Sequence, residues 1–523
     1  MALANHTQRV TEALLSGGST LSQNLESVGR PSTVVTILGT IATVLVVGVV
    51  RRRYFSPISH VPGPFLASIS RVWHVIQIWK GKQNYRLLEL HEEHGDFVRV
   101  AHNEVSVCHP DGVKALYLNS VPKGDWYGIF VFPDWRFPAA ISIKDPKKKA
   151  EFMKYMSNAG FLMHNVLAYE PMIDENIEKL CGWMDKSAAA GTPMELDKFF
   201  TYIAYDITGE VTFSKPFGFM DAGADVGDAI AMNVGLQIFL CTFGFYRRAS
   251  YLFNNPFVTW TGLLPVGHVV NTAAAAIAER QRNPDARADM CQHWIRGLAK
   301  ARADGYDGFN ERHLLSAAVS NLGAGSDTIS CGMQTFCYHA MRTPDVWRRV
   351  REEIDDARTR EGRCEGPAAV SWDDAQRLPY LNAAILESLR ILAPVSKGLP
   401  RYAPKGGVNI NGTHFPEGTQ MSINPGVIQL SKDIWGPDAR EFNPDRWFRP
   451  EIKEQQKCFM PWGLGWGSCP GQQLAKVQMY KIIATIVRDY DIRQVDPDHE
   501  WKWAAYFTLN PQDWPVYITK RVD

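Results

Sequence analysis

The 523-residue chain lacks an excess of charge of either sign. Its 56 lysines and arginines are matched by 55 aspartates and glutamates, for a net charge of +1. Nothing in that balance provides the basic footprint that nucleic acid requires. It also lacks paired cysteines: there are nine, an odd number, scattered without a C-x-x-C spacing. That excludes a disulfide framework and suits a reducing compartment around most of the chain. Beyond Phe65 there is no low-complexity linker and no internal repeat, so the remainder reads as one catalytic body. Composition is ordinary for a globular protein, with 45% hydrophobic and 21% charged residues.

One long hydrophobic run is present. Residues 31–50, PSTVVTILGTIATVLVVGVV, contain no charge. At ~1.5 Å per residue the run spans roughly 30 Å, the thickness of one hydrocarbon core. Arg51, Arg52 and Arg53 follow at once and should hold that end in the cytosol. Residues 1–30 then form a short lumenal tail, with Asn5-His6-Thr7 as a glycosylation sequon. A cleaved signal peptide fits poorly, because a polar stretch precedes the run and no small-x-small site follows it. Pro57, Pro62 and Pro64 stiffen residues 51–64 as a hinge, leaving 65–523 as the catalytic domain. The second sequon, Asn411-Gly412-Thr413, is cytosolic on this topology and should stay bare.

Helical patterning predicts helices over 84–96, 147–190 and 373–391, and a largely helical stretch over 306–360 broken near Arg342-Thr343-Pro344. The first part of that stretch is apolar on nearly every face, as a central helix should be. Residues 398–424 alternate strand and turn, with Gly406-Gly407 and Asn411-Gly412 as hairpin signals. The expected class is α+β: mainly helical, with a small, mostly antiparallel sheet behind one transmembrane helix.

Four constellations carry chemistry. In WGLGWGSCPGQQLA (462–475) glycines surround Cys469, and a helix follows. A helix N-terminus lowers a thiol pKa, as a metal-binding thiolate needs, and Pro470 fits the first helical position. Gly463, Gly465, Gly467 and Gly471 would let backbone approach a flat cofactor; an inert buried cysteine in a glycine-rich loop is the bland alternative. Glu387 and Arg390 share one helix face; such pairs are common on surfaces, but LPYLNAAILESLRILAP is otherwise apolar, so burial is expected, with Arg446 as a third partner. Ala324-Gly325-Ser-Asp327-Thr328 places glycine, carboxylate and hydroxyl inside the central helix, either as a ligand notch or as a packing notch. The loop DWYGIFVFPDWRFP (125–138) is either core or a substrate lid.

In this order and spacing, the cysteine loop, the Glu-x-x-Arg helix, the Asp-Thr pair and the proline-rich hinge resemble the cytochrome P450 superfamily over residues 57–523. YDITGEVTFSKPFGF, WGPDAREFNPDRW and WGLGWGSCPGQQLA resemble its microsomal fungal branch, which modifies secondary metabolites. The resemblance implies haem b with iron held by Cys469, and Asp327 and Thr328 relaying protons for oxygen activation. It implies electrons from NADPH through the FAD and FMN of a separate NADPH-cytochrome reductase. It places Trp462, Gly463, Gly465, Gly471, Ala324 and Gly325 along the cofactor, with Glu387, Arg390 and Arg446 bracing the fold behind it. The expected protein is a single-pass membrane enzyme of the endoplasmic reticulum, without an obligate oligomer, that oxidises an apolar, ring-containing small molecule.

Two departures stand out. Trp462 replaces the family's usual phenylalanine. Gly467 stands where an arginine or histidine usually meets a haem propionate, so Arg401, Lys149 or Lys154 should serve instead. Phenol coupling within the same family, a reductase-independent haem-thiolate isomerase or dehydratase, and a haem sensor are the alternative functions. The Asp327-Thr328 pair argues against the isomerase.

Overall fold

The computed structural model describes residues 31–131, 134–156, 158–246, 257–258, 267–283, 287–366 and 368–521. Asn5 lies outside them. The apolar run forms α1 (Pro31–Tyr54), which ends in the three arginines. Its Val34–Tyr54 window has mean hydropathy 2.2 and no part buried in the protein, so it is a candidate transmembrane span. The helix end is tied to the body: Arg52 donates to the Ile69 carbonyl (2.9 Å), and Arg99 donates to that of Arg52 (2.8 Å).

The body is mostly helical. Its frame comprises α2 (Val72–Trp79), α3 (Pro146–Met156), α4 (Glu170–Ala190), α5 (Leu196–Phe213), α6 (Ala229–Phe243), α7 (Met290–Ala303), α8 (Glu311–Gly325), α9 (Asp327–Arg342), α10 (Pro344–Glu361), α11 (Pro379–Ile391) and α12 (Gln472–Asp489). α9 packs on α5, α10, α11 and α12, and nearly all its residues are buried in the main apolar core. α5 is buried from Tyr202 to Phe213. Inside it, Asp206 accepts from the backbone N–H groups of Phe217, Gly218, Phe219 and Met220 (2.7–3.2 Å). One buried carboxylate thereby satisfies the donors that open the next helical turn.

The central stretch breaks where its small polar residues stand. α8 ends at Gly325, Ser326 intervenes, and α9 begins at Asp327. Thr328 Oγ1 donates to the Ala324 carbonyl (2.9 Å) and Ser326 Oγ to that of Leu322 (3.4 Å), so two neighbouring hydroxyls compete for the helix ladder. The 147–190 expectation was too coarse: short turns around Asn158–Phe161 and Met163–Ala168 separate α3 from α4, whose first turn holds Pro171. Likewise 373–391 is split, with a turn at Trp372–Ala375 before α11 restarts at Pro379. Proline is at home in a first helical turn and disruptive inside a helix.

The strands are β1 (Phe97–Ala101), β2 (Glu104–Val107), β3 (Arg401–Tyr402), β4 (Val408–Ile410), β5 (Thr413–Phe415), β6 (Gln420–Ser422), β7 (Tyr490–Gln494), β8 (Lys502–Ala505), β9 (Leu509–Gln512) and β10 (Val516–Lys520). The four-stranded sheet runs β1-β2-β6-β3 and is antiparallel except between β2 and β6. Asn411 and Gly412, both at positive φ (43° and 73°), make the two-residue turn between β4 and β5. Gly406-Gly407 is a turn but not a hairpin, because β3 pairs with β6 rather than with β4.

Candidate active site

Cys469 sits in an extended turn before α12. Pro470 and Gly471 follow, and Gly471 rather than Cys469 is the N-cap. The thiol is still close to the helix N-terminus: the Gly471 N–H points at its sulfur and lowers its pKa, as does Lys149, while burial acts more strongly and raises it. Of the nine cysteines only Cys469 is exposed. The residue as a whole is exposed, although protein atoms crowd its sulfur. The loop is closed by the Cys469 N–H donating to the Trp462 carbonyl (2.8 Å).

The glycines divide by what each one meets. A Cβ on Gly465 would lie 2.2 Å from the Tyr117 carbonyl oxygen, so this residue, at φ +57°, is bare in order to pack on the 114–118 turn. Gly463 has φ +65° and turns the chain. Gly471 would make only ordinary contacts, 3.8 Å to Cys469 Sγ. A Cβ on Gly467 would lie 2.8 Å from Arg401 Nη2.

Arg401 belongs to a group of cations. Its Nη1 donates to Tyr127 Oη (2.9 Å) and the Pro400 carbonyl (3.1 Å), and its Nε has no partner. Lys149 donates to the Trp466 carbonyl (2.8 Å). Lys123 is buried, donates to the Ile141 carbonyl (2.8 Å), and lies over the rings of Tyr127 and Trp466. Among the described residues none of the three makes an ion pair. Burial, then Lys149 and Arg401, press the Lys123 ammonium down to about 6. Burial and Arg401 lower Lys149 as well.

Across the fold, Asp327 is buried and its Oδ2 accepts from Asn233 Nδ2 and Gln237 Nε2, both at 2.6 Å. Burial lifts its carboxyl to about 7 against those two hydrogen bonds. The Gln237 Oε1 in turn accepts from the Thr508 N–H (3.0 Å) and Oγ1 (2.8 Å). The carboxylate thus links α9, α6 and the β8–β9 turn. Gly323 and Ala324 are exposed in an otherwise largely buried stretch.

Behind the cysteine loop, Glu387 accepts from Arg390 through both oxygens (2.8 Å each), from Arg446 Nε (2.9 Å), from Trp447 Nε1 (3.0 Å) and from the Asn443 N–H (3.0 Å). The side chains of Glu387, Arg390 and Arg446 are fully buried. The remaining arginine donors go to the carbonyls of Gln429, Ala439, Glu441, Trp435 and Asp438, and Arg446 Nη1 also reaches Asp438 Oδ1 (3.2 Å).

The family model of cytochrome P450 matches residues 62–512. The chain belongs to the cytochrome P450 family. It is 27% identical over 486 residues to "Cytochrome P450 monooxygenase gsfF" of Penicillium aethiopicum, covering 90% of this chain and 95% of that relative. It is 27% identical to a pisatin demethylase of Fusarium vanettenii (88% of each chain) and 28% to "Cytochrome P450 monooxygenase cicH" of Emericella nidulans (89% and 94%). This P450 is therefore a monooxygenase, and its family implies a haem cofactor.

The residues present suit that group. The Cys469 thiol offers a ligand for iron. Three basic groups without acidic partners among the described residues, one holding an unsatisfied Nε, suit the two propionates of a haem.

Other residues expected along the cofactor have protein neighbours of their own. Lys154 donates to Tyr155 Oη (3.3 Å) and approaches Asp304 (3.8 Å) on the surface, away from the cysteine loop. Gly325 faces α5, where a Cβ would lie 2.8 Å from Thr208 Oγ1, so it serves helix packing. Gly465 serves the Tyr117 contact described above. In the aromatic loop Trp126, Tyr127 and Ile129 are buried, Trp135 is exposed, and 132–133 lie outside the described residues. Asn233, Gln237 and Lys123 were missed. The first two are the polar residues four apart within AIAMNVGLQIFLCTF, a signal that was readable. Lys123 had none: one lysine in a loop says nothing about burial.

Proposed function

We propose that Cys469 would hold the iron of a haem b and that Arg401, Lys149 and Lys123 would meet its propionates. When bound, the haem supplies oxygen activation and removal of hydrogen from a substrate carbon. The chain's own residues do the rest. The Gly471 N–H and Lys149 favour the thiolate at Cys469. Trp462 and the flanking loop hold the sulfur in place through the Cys469 N–H bond. Asp327, poised near neutrality, and Thr328 deliver protons from the α9 side, with Asn233 and Gln237 holding the carboxylate. Glu387, Arg390 and Arg446 brace the loop and touch no reactant. Ala324 and Gly463 flank the cofactor.

The substrate is an apolar, ring-containing small molecule of fungal secondary metabolism, as the names of the relatives and the ring-rich 125–138 loop suggest. Electrons come from NADPH through a membrane reductase. α1 anchors residues 65–523 to the cytosolic face of the endoplasmic reticulum, with 1–30 lumenal. The observation that carries this reading is the one exposed cysteine of nine, beside three basic groups without acidic partners among the described residues.

The test is the carbon monoxide difference spectrum of the reduced protein. The wild type should show the thiolate-type Soret band, and Cys469→Ser should lose it. Each other cysteine should be replaceable without that loss. A normal band in Cys469→Ser overturns the proposal. Thr328→Ala should keep the band but release peroxide in place of product during NADPH consumption.

A further inference from the structure

A second set of buried basic and donor groups converges on one ring, Phe245. Lys397 Nζ lies 4.6 Å from its centroid and 4.9 Å from that of Trp126. The Arg71 guanidinium lies 4.3 Å from the Phe245 ring, and the His74 ring 5.2 Å. Lys397 is fully buried, Trp126 is 1% exposed and His74 is 6% exposed. Among the described residues Lys397 Nζ, Trp126 Nε1 and His74 Nδ1 have no hydrogen-bond partner.

The nearest carboxylate does not answer them. Glu104 is already engaged by Arg71, by Gln420 Nε2 (2.9 Å) and by Ser422 Oγ (3.4 Å). With Lys397 protonated, Arg71 and Lys397 against Glu104 leave one positive charge in excess; burial works against that charge and lowers the Lys397 pKa, and an anion bound there would favour it. Two aromatic faces offset part of the cost of burying an ammonium, but they use none of its three N–H donors. The Lys397 Nζ, the Trp126 indole N–H and the His74 Nδ1, in the tautomer that carries its proton there, stand without partners near one ring and suit an anionic oxygen pair.

The cluster borders the candidate active site. Trp126 packs edge-on against Tyr127, whose hydroxyl accepts from Arg401 beside the cysteine loop. On its other side it stacks on Phe507, next to Thr508 in the Gln237–Asp327 network. Gly244, where α6 ends, packs against the indole edge: a Cβ there would lie 2.7 Å from Trp126 Nε1.

We propose that Lys397, Trp126 and His74 form a subsite for a carboxylate on the substrate, with Phe245 beneath it. The substrate is then an aromatic or polycyclic acid held by its acidic end and oxidised at its apolar end. This rests on the monooxygenase reading above and adds the chemical class of the molecule it acts on.

The probes are paired aromatic carboxylates and primary carboxamides: benzoate, 2-naphthoate and anthracene-9-carboxylate, each with its amide. Binding is measured by equilibrium dialysis against the full-length holoenzyme in lipid nanodiscs, a readout independent of the haem spectrum. The expected result is at least one carboxylate held about tenfold more tightly than its amide, the worth of one charge-assisted contact. That advantage should vanish in Lys397→Met, with amide affinity kept within about twofold. No carboxylate exceeding its amide, or an advantage that persists in Lys397→Met, overturns the subsite. The wild-type comparison decides even if the variant does not fold. A normal carbon monoxide band without carboxylate preference refutes the subsite alone. An absent band in the wild type refutes the haem reading and leaves the dialysis result standing.

Discussion

The Arg401 guanidinium occupies the space into which a side chain at Gly467 would grow, with 2.8 Å between Nη2 and an added Cβ. Gly467 is not at positive φ, so its bareness reflects this collision rather than backbone strain. The two positions therefore exchange one cation. Arg401→Ala should lower the haem-to-protein ratio sharply, and Arg401→Lys should restore it only in part, because lysine lacks the planar fork. Gly467→Arg should lower occupancy on its own and raise it in the Arg401→Ala background. Full occupancy in Arg401→Ala would assign the propionates to Lys123 and Lys149 alone.

Glu387 is the hub of five donated hydrogen bonds and is fully buried. Glu387→Gln keeps the size but removes the charge between two buried guanidiniums. Breaking such a pair costs roughly 3–5 kcal/mol. The denaturation midpoint should fall accordingly, or folded holoprotein should fail to accumulate. The exposed pair Arg348–Glu352 (2.6 Å) is the control: Glu352→Gln should cost under ~1 kcal/mol. Equal effects at the two sites would refute the hub.

Asp327 gives a pH dependence of defined sign. Its carboxyl ionises at an ordinary 3.8 in the unfolded chain and at about 7 in the fold, because burial penalises the charge. Between these values the folded state holds the extra proton. Stability from this group is therefore full below about 4 and is lost as pH rises toward about 7, at about 1.4 kcal/mol per unit. Asp327→Asn carries no titrating group. Between pH 5 and 7, the melting temperature of the wild type should fall relative to that of Asp327→Asn. Parallel profiles would mean that the carboxylate stays ionised on Asn233 and Gln237.

How much of this was legible depended on whether a residue's role is local. The Glu387–Arg390 pair could be read from spacing four residues long, and its burial from the apolar stretch around it. Cys469 could be read from the glycines and the helix behind it, although the helix begins later than a cap at Cys469 required. The kink at Ser326 followed from side chains that bond their own helix. The Asp327 network was harder, since Gln237 and Thr508 lie far from it in the chain and meet it only through packing. Gly325 and Gly465 show the same limit. A glycine signals that something comes close, not whether it is a cofactor, Thr208 or the Tyr117 carbonyl. Lys154, five residues after Lys149, leaves α3 on another side.

The same packing redraws the basic face that would meet a reductase. Lys481, on the helix behind the cysteine loop, does not contribute to it: it is buried and pairs with Glu170 (2.6 Å) and Asp174 (2.8 Å), tying α12 to α4. Lys149 turns inward to Trp466. Lys147 and Lys148 remain exposed in the first turn of α3, beside the helix position that reaches the cysteine loop. If they steer an acidic partner, the rate of reduction by the reductase should fall as salt rises, since exposed charges are screened beyond about 8–10 Å. Reversal to Lys147→Glu/Lys148→Glu should slow reduction at low salt, flatten its salt dependence, and leave the carbon monoxide band intact. Lys481→Met should instead lower the melting temperature without changing the salt dependence. Salt-independent reduction of the wild type, or an unchanged rate in the double reversal, would place the docking surface elsewhere.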